Sequence, residues 1–591
     1  MVHLHAHTHF SFGLGVSSPE VMAEAAATRG FRALACTDTN GVYGAIEFQR
    51  ACDAAGVRPI LGAHLVQGSE ETVALATSER GWGALCRAIS RIHWHTGRRR
   101  RGSRIEPQVD APAPDELAGS LAHDRDGLIL LSRDTALLER VARASGTRDL
   151  YAELRPGKTR HVVLAAARRL GIPPVVTGGA VMAHPEDWTR HRLLRAIALN
   201  TTLAAVPPDE IWPRDAWLRP ADVVARHFPD CPEAVHTAHE IAERCEYRIP
   251  MGRAIAPRLA DVTDAFQRLR TEAYAGAERR YGTLSSMTRT RLDHELGIIG
   301  ARGFADYFLV VQDIVRHGPT HCGRGSVANS VVSYCLGITH VEPLGAGLLF
   351  ERFLNPERKD PPDIDLDFPW DERDDVLAYV FRTYPLPRAA MVANHNCFRL
   401  AGALRETAKV YGRPPGEIRE VTRRIPHYHE NESFDALLAE HPNFKELDLA
   451  PGWRDLARHA STLVGLPRLL SLHSGGVVIV PDALTNYVPV EPAAKTLAKH
   501  EDLTVPVIQF EKDGTEDAGL VKIDLLGNRS LAVIRDTIDA VHDNTGRIID
   551  YTSSDAGDDE ATRELFRTGR TMGVFYTESP ASRQLCAKSL A

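Results

Sequence analysis

The chain has 591 residues, 70 Lys and Arg against 77 Asp and Glu for a formal net charge of −7, with 43% hydrophobic and 25% charged residues. That composition excludes an intrinsically disordered chain and a small disulfide-stapled fold, and the length accommodates roughly four domains of about 150 residues each. No run of about 18 apolar residues occurs, and MVHLHAHTHF lacks a basic region followed by an apolar stretch, so a cytoplasmic protein with no membrane partner is expected.

The first 190 residues alternate β-like runs with amphipathic helices: VHLHAHTHFS, a helix from about Pro19, FRALACTDT, a helix around Val42 to Ala55, then RPILGAHLV. This rhythm predicts an α/β layer or barrel. The cluster Arg98, Arg99, Arg100, Arg101 and Arg104 reads either as a solvated loop or as a nucleic-acid contact. The nine cysteines contain no CxxC pair, which points to reduced buried thiols rather than a zinc ribbon. The rhythm breaks near VPPDE at 206–210, and helical segments carry the chain to about residue 250.

From about 265 the text changes to the helix-compatible FADYFLVVQDIV, a glycine turn, another helix, a charged strand, and the amphipathic helix DERDDVLAYVFRTY. Residues 397 to about 475 read as mostly helical and Arg-rich, and β-like runs return in GGVVIV, VPVIQF and LVKIDLLG. A second domain interrupted by a helical insertion is therefore expected.

Three segments carry chemistry. In PPDIDLDFPW, Asp363, Asp365 and Asp367 alternate with Ile364, Leu366 and Phe368, so a strand puts three carboxylates on one face and three apolar side chains in the core. Such a face is either a solvated edge or a site for divalent cations, because carboxylates at i and i+2 can hold two Mg²⁺ while leaving room for phosphate. Upstream, Gly323-Arg324-Gly325-Ser326 precedes VANSVVSYCLG, a glycine turn feeding a predicted helix N-terminus where Arg324 and Ser326 add charge and a hydroxyl to a site suited to a triphosphate. In LVKIDL, Lys522 and Asp524 share one face, and Asp524 is positioned to complete a carboxylate triad or merely to decorate a strand with Lys522.

In order along the chain, GRGSVANSVVSYCLGIT, LLFERFLNPERKDPPDIDLDF and VKIDLLG resemble the α subunit of bacterial DNA polymerase III, the C-family replicative polymerases. HLHAHTHFS, TDTNGVYG, RPILGAHL, GWGALCRAISRIH, HSGGVVIV and GVFYTESPASRQL extend the resemblance over the whole chain. It implies an α/β multidomain fold: a PHP-type α/β barrel over 1–200, a helical connection over 201–264, a polymerase-β-like nucleotidyltransferase palm over 265–396 and 476–530, a helical thumb inserted at 397–475, and the start of truncated fingers at 531–591.

The activity implied is template-directed DNA synthesis in replication by two-metal nucleotidyl transfer, with Asp365, Asp367 and Asp524 as the catalytic, Mg²⁺-holding triad and Asp363 in a supporting place. Arg324, Gly325, Ser326 and Lys522 match positions near the nucleotide's phosphates, and Arg405 in ALRETAKVYG is a further phosphate contact. Expected partners are primer-template DNA and deoxynucleoside triphosphates, with a separately encoded C-terminal polymerase half and a sliding clamp reached through it. The alternatives are an auxiliary polymerase for lesion bypass or repair, and a catalytically incomplete scaffold that binds DNA or a partner protein.

The PHP metal ligands are eroded. His3 and His5 match the first ligand pair, but Leu14-Gly15 stands for LDG, Thr39 follows Asp38 in place of TDH, and His64 stands where a Glu is expected. Arg133 replaces a cysteine, and Gly179 and Val181 replace an Asp and a His. A set stripped of these ligands is expected to carry no phosphoesterase activity and to serve as a scaffold.

Overall fold

A computed structural model describes residues 2–101, 116–157, 159–259, 262–355, 361–385, 387–426, 434–444, 451–552, 559–574 and 577–589. The side chains of the Arg98–Arg104 cluster lie outside the described residues.

The N-terminal region is built on a six-stranded sheet in sequential order: β1 (Ala33–Thr39), β2 (Arg58–Gln67), β3 (Glu70–Ala76), β4 (Leu128–Ser132), β5 (Leu150–Leu154) and β6 (Pro174–Val176). β1 is parallel to β2, β4 and β5 are parallel to their successors, and β3 runs antiparallel to both neighbours. The predicted helices form at Pro19–Thr28, capped by the Ser18 side chain, and at Ala45–Ala55, ended by Gly56 at φ +68°.

The opening run VHLHAHTHFS is not a regular strand. It bridges only at His3 to Leu34 and Ala6 to Ala180, between β1 and the segment after β6. The Thr37 hydroxyl accepts the Ala6 N–H at 3.0 Å, inserting a side chain where a ladder bond would run.

The second sheet has seven strands: β7 (Cys322–Arg324), β8 (Ile364–Pro369), β9 (Ala389–Cys397), β10 (Pro467–Ile479), β11 (Val490–Pro492), β12 (Pro506–Ile508) and β13 (Lys522–Asn528), in the order β11-β12-β9-β10-β13-β8-β7. Its central strands are buried on both faces. Ala389, Met391 and Ala393 join one core with the helices Ala305–His317 and Arg373–Thr383, whereas Ala390 and Val392 join the core of the N-terminal region. Val477 and Ile479 divide from Val478 and Val480 in the same way, the period-2 alternation that buries both faces of a strand.

The predicted insertion is helical at Leu400–Val410, Pro415–Thr422, Phe434–Glu440 and Trp453–Ser461. Its apolar face does not pack on itself alone: Phe398, Leu404 and Trp453 share a core with Val181, Met182, Leu193 and Ala216. The insertion thereby rests on the N-terminal region. Among the described residues, no helix is long and apolar enough to cross a membrane.

Candidate active site

β13 and β8 run parallel in a register that sets Asp524 opposite Asp365, and Ile364, Leu366, Phe368, Ile523 and Leu525 fill the core beneath them as the alternation predicts. Asp363, Asp365 and Asp524 each bring a carboxylate oxygen within 4.8 Å of the others. Crowding and burial push the Asp365 carboxyl up to about 6: desolvation contributes most, followed by repulsion from Asp363, with Asp524 adding to it.

Lys522 Nζ sits 2.6 Å from Asp524 Oδ2 and 3.5 Å from Asp363 Oδ1. Burial works against this ammonium, yet its bond to Asp524 and the field of Asp363 hold its pKa above the ordinary value. Asp524 Oδ1 is buried without a hydrogen-bond partner among the described residues. Three converging carboxylates, one with a buried oxygen that lacks a hydrogen-bond partner, fit divalent cations, which take hard oxygen ligands. Asp363, Asp365 and Asp524 are the side chains that would hold them.

This grouping differs from the triad expected from the sequence, Asp365, Asp367 and Asp524. Asp367 lies farther along β8, buried, where its Oδ1 accepts from Arg324 Nε at 3.1 Å and its Oδ2 from Asn528 Nδ2 at 3.1 Å. Asp363, expected to support the site from outside, belongs to the cluster instead. The register pairs Asp365 with Asp524 and Asp367 with Leu526, two residues farther along each strand.

The glycine turn is placed beside these carboxylates. Gly325 has φ +73°, a conformation favouring glycine, and a Cβ there would lie 3.6 Å from Asp365 Oδ2. Arg324 reaches Asp365 at 3.6 Å as well as Asp367. The turn does not feed a long helix, however. Gly325–Asn329 is a 3₁₀ turn, and the α-helix that follows spans only Val331–Cys335.

The N–H groups at that helix start are already used. The buried Glu295 carboxylate, from the helix Ser286–Ala301, accepts from Val331 N at 3.0 Å, Val332 N at 3.0 Å and Ser330 Oγ at 2.8 Å, and from Arg291 Nε at 2.7 Å. Val331 and Val332 thus have no free N–H for a triphosphate, and Arg324, Gly325, Ser326 and Lys522 remain the candidates for phosphate. Arg405 is exposed on Leu400–Val410, and among the described contacts none links it to the carboxylates.

In the N-terminal region the structure groups His5, His7 and His64, not His3 and His5. His3 turns away, its Nε2 2.9 Å from the Arg219 carbonyl and its ring edge-on to Phe31. The Nε2 atoms of His5 and His7 face each other at 2.9 Å, so one carries the hydrogen the other accepts. Arg155 Nη2 lies 2.7 Å from His5 Nδ1, and its guanidinium pairs with Glu153 and covers Trp212 at 4.9 Å. Three imidazoles beside a fixed arginine do not fit a cluster of several metal ions.

Residues 3–162 match the PHP domain, residues 267–527 the bacterial DNA polymerase III alpha NTPase domain, and residues 530–590 the bacterial DNA polymerase III alpha subunit finger domain. Similar curated proteins include an error-prone DNA polymerase of Symbiobacterium thermophilum, 35% identical over 99% of this chain and 56% of its own length. An error-prone DNA polymerase of Pseudomonas syringae is 33% identical over 98% of the chain and 56% of its own length. The DNA polymerase III subunit alpha of Bacillus subtilis is 31% identical over 99% and 53%. The chain spans about half the length of the curated relatives it matches. With all three domain families present in order, the chain belongs to the bacterial DNA polymerase III alpha subunit family.

Proposed function

We propose that the chain carries the nucleotidyl-transfer centre of a template-directed DNA polymerase, with Asp363, Asp365 and Asp524 as the cation-holding residues. The observation that carries this reading is the convergence of their oxygens within 4.8 Å beside Lys522 and Arg324. Divalent cations, when bound there, supply Lewis-acid charge for joining a primer 3′-hydroxyl to the α-phosphate of a deoxynucleoside triphosphate. Lys522 and Arg324 provide fixed positive charge for phosphate oxygens, Gly325 keeps the turn close to Asp365, and Ser326 adds a hydroxyl donor. Asp367 acts as a positioning residue that aims Arg324.

Primer-template DNA is gripped mainly through its backbone, so binding weakens with salt. The N-terminal region serves as a scaffold for the second sheet and the helical insertion, which share its cores, and its His5, His7 and Arg155 set supplies no phosphoesterase centre. A second reading, an auxiliary polymerase of lesion bypass or repair, is favoured by the relatives named error-prone DNA polymerase.

Primer extension with Mg²⁺ tests the proposal, comparing wild type with Asp365→Asn and Asp524→Asn, with and without the C-terminal portion of a relative supplied in trans. Synthesis is expected from wild type under at least one condition and reduced at least about a hundredfold in both variants. DNA binding without synthesis under either condition would establish the scaffold alternative.

A further inference from the structure

The segment His473-Ser474-Gly475-Gly476 interrupts the long strand β10 just where it meets β13. Pairing with β9 shifts register between Leu472 and Val477, and Gly476 then lies opposite Asp524. Within this bulge the chain folds back on its own imidazole: His473 Nδ1 accepts from Gly476 N at 2.8 Å and from Gly475 N at 3.3 Å. Arg373 Nη2 donates to the Ser474 carbonyl at 2.6 Å and pins the bulge from the other side.

The glycines make this fold-back feasible. A Cβ on Gly475 would come within 2.5 Å of Leu526 Cδ2, and one on Gly476 would press on His473 Nδ1 at 3.0 Å and Lys522 Cδ at 3.1 Å. Because both backbone groups are donors, Nδ1 is the unprotonated nitrogen, and the ring hydrogen sits on Nε2. Among the described residues Nε2 has no partner. The ring remains partly exposed, with Nδ1 3.6 Å from Asp524 Oδ1, and Asp363, Lys522 and Lys512 are its other charged neighbours. An oriented N–H donor left open beside a carboxylate cluster and two lysines suits a phosphate oxygen, which accepts from neutral and charged donors alike.

We infer that His473 is a phosphate-binding residue of the carboxylate site, presenting Nε2–H to a phosphate oxygen of the incoming nucleotide or of the primer end. The inference rests on the polymerase reading above and adds a residue to it.

Asparagine and glutamine separate binding from folding. His473→Asn places an acceptor where Nδ1 stands, keeping the glycine N–H bonds but removing the Nε2 donor, whereas His473→Gln extends a donor to the Nε2 position. Calorimetric titrations of dATP with Ca²⁺, and separately of primer-template DNA, are made on wild type and both variants, with melting temperatures recorded. Expected is a loss of about tenfold in affinity for one of the two ligands in His473→Asn at unchanged melting temperature, with His473→Gln recovering most of it.

Loss confined to dATP identifies the nucleotide as the phosphate source, and loss confined to DNA identifies the primer end. Wild-type affinities for both ligands in His473→Asn would overturn the inference and leave the imidazole a structural cap. If wild type binds neither ligand, alone or with the C-terminal portion of a relative supplied in trans, the polymerase reading fails and the inference falls with it.

Discussion

Arg155 Nη2 lies 2.7 Å from His5 Nδ1, while the same guanidinium embraces both oxygens of Glu153. Glu153 is 2% exposed, and although burial opposes its charge, Arg155 and His5 hold its carboxyl well below the usual range. A fixed cation thus stands among the imidazoles. Removing it in Arg155→Met leaves a buried carboxylate without its main partner and is expected to cost about 3–5 kcal/mol in urea unfolding, with Glu153→Gln in the same chain recovering part of the loss.

Buried histidines make the N-terminal region sensitive to mild acid. Burial lowers His3, His9 and His191 to about 4 and His5 to about 3, and holds His7 well below 6.5. As pH falls below about 6.5 the unfolded chain takes up protons that the folded chain refuses, so stability present above that value is lost progressively toward pH 4. Unfolding midpoints at pH 7 and pH 5 check this, with the lower midpoint expected at pH 5.

At the carboxylate cluster the same linkage acts on cation binding. Asp365 titrates at about 6, so a proton and a divalent cation compete for it just below neutrality. The apparent Mn²⁺ affinity is expected to be constant above pH 7 and to fall up to about tenfold per pH unit below 6, read by calorimetry between pH 5 and 7.5.

Glu295 ties the helix start after the glycine turn to the helix Ser286–Ala301 through three bonds, from Ser330 Oγ, Val331 N and Val332 N. Glu295→Ala orphans the N–H groups of Val331 and Val332 and removes the carboxylate partner of Arg291, which keeps the carbonyls of Asn329 and Leu348, at an expected cost of about 3 kcal/mol or more. Thermal unfolding measures the stability loss, and dATP affinity is expected to fall with it as Arg324 and Ser326 lose their support.

The strands bearing the site were legible because period-2 alternation is local: Ile364, Leu366 and Phe368, and likewise Val521, Ile523 and Leu525, point to the core as their spacing implies. Which carboxylates meet was not. Asp363 precedes the first residue of β8, and the pairing of Asp365 with Asp524 that brings the carboxylates together depends on β13, about 160 positions away. Glu295 escaped notice for a related reason, since an internal cap contributed from another helix has no signature in the sequence around the turn it serves. Among the histidines, the resemblance pointed to His3 and His5, whereas the side chains that meet are His5, His7 and His64, the last from β2 and so beyond the reach of local spacing.

The proposed cation-holding set contains Asp363 and not Asp367, and a calorimetric Mn²⁺ titration of wild type, Asp363→Asn and Asp367→Asn tests it. Asp363→Asn is predicted to weaken binding at least about tenfold while Asp367→Asn retains affinity close to wild type, because Asp367 holds Arg324 and Asn528 rather than a cation. Loss of binding in Asp367→Asn with wild-type affinity in Asp363→Asn would instead place Asp367 in the cation-holding set with Asp365 and Asp524.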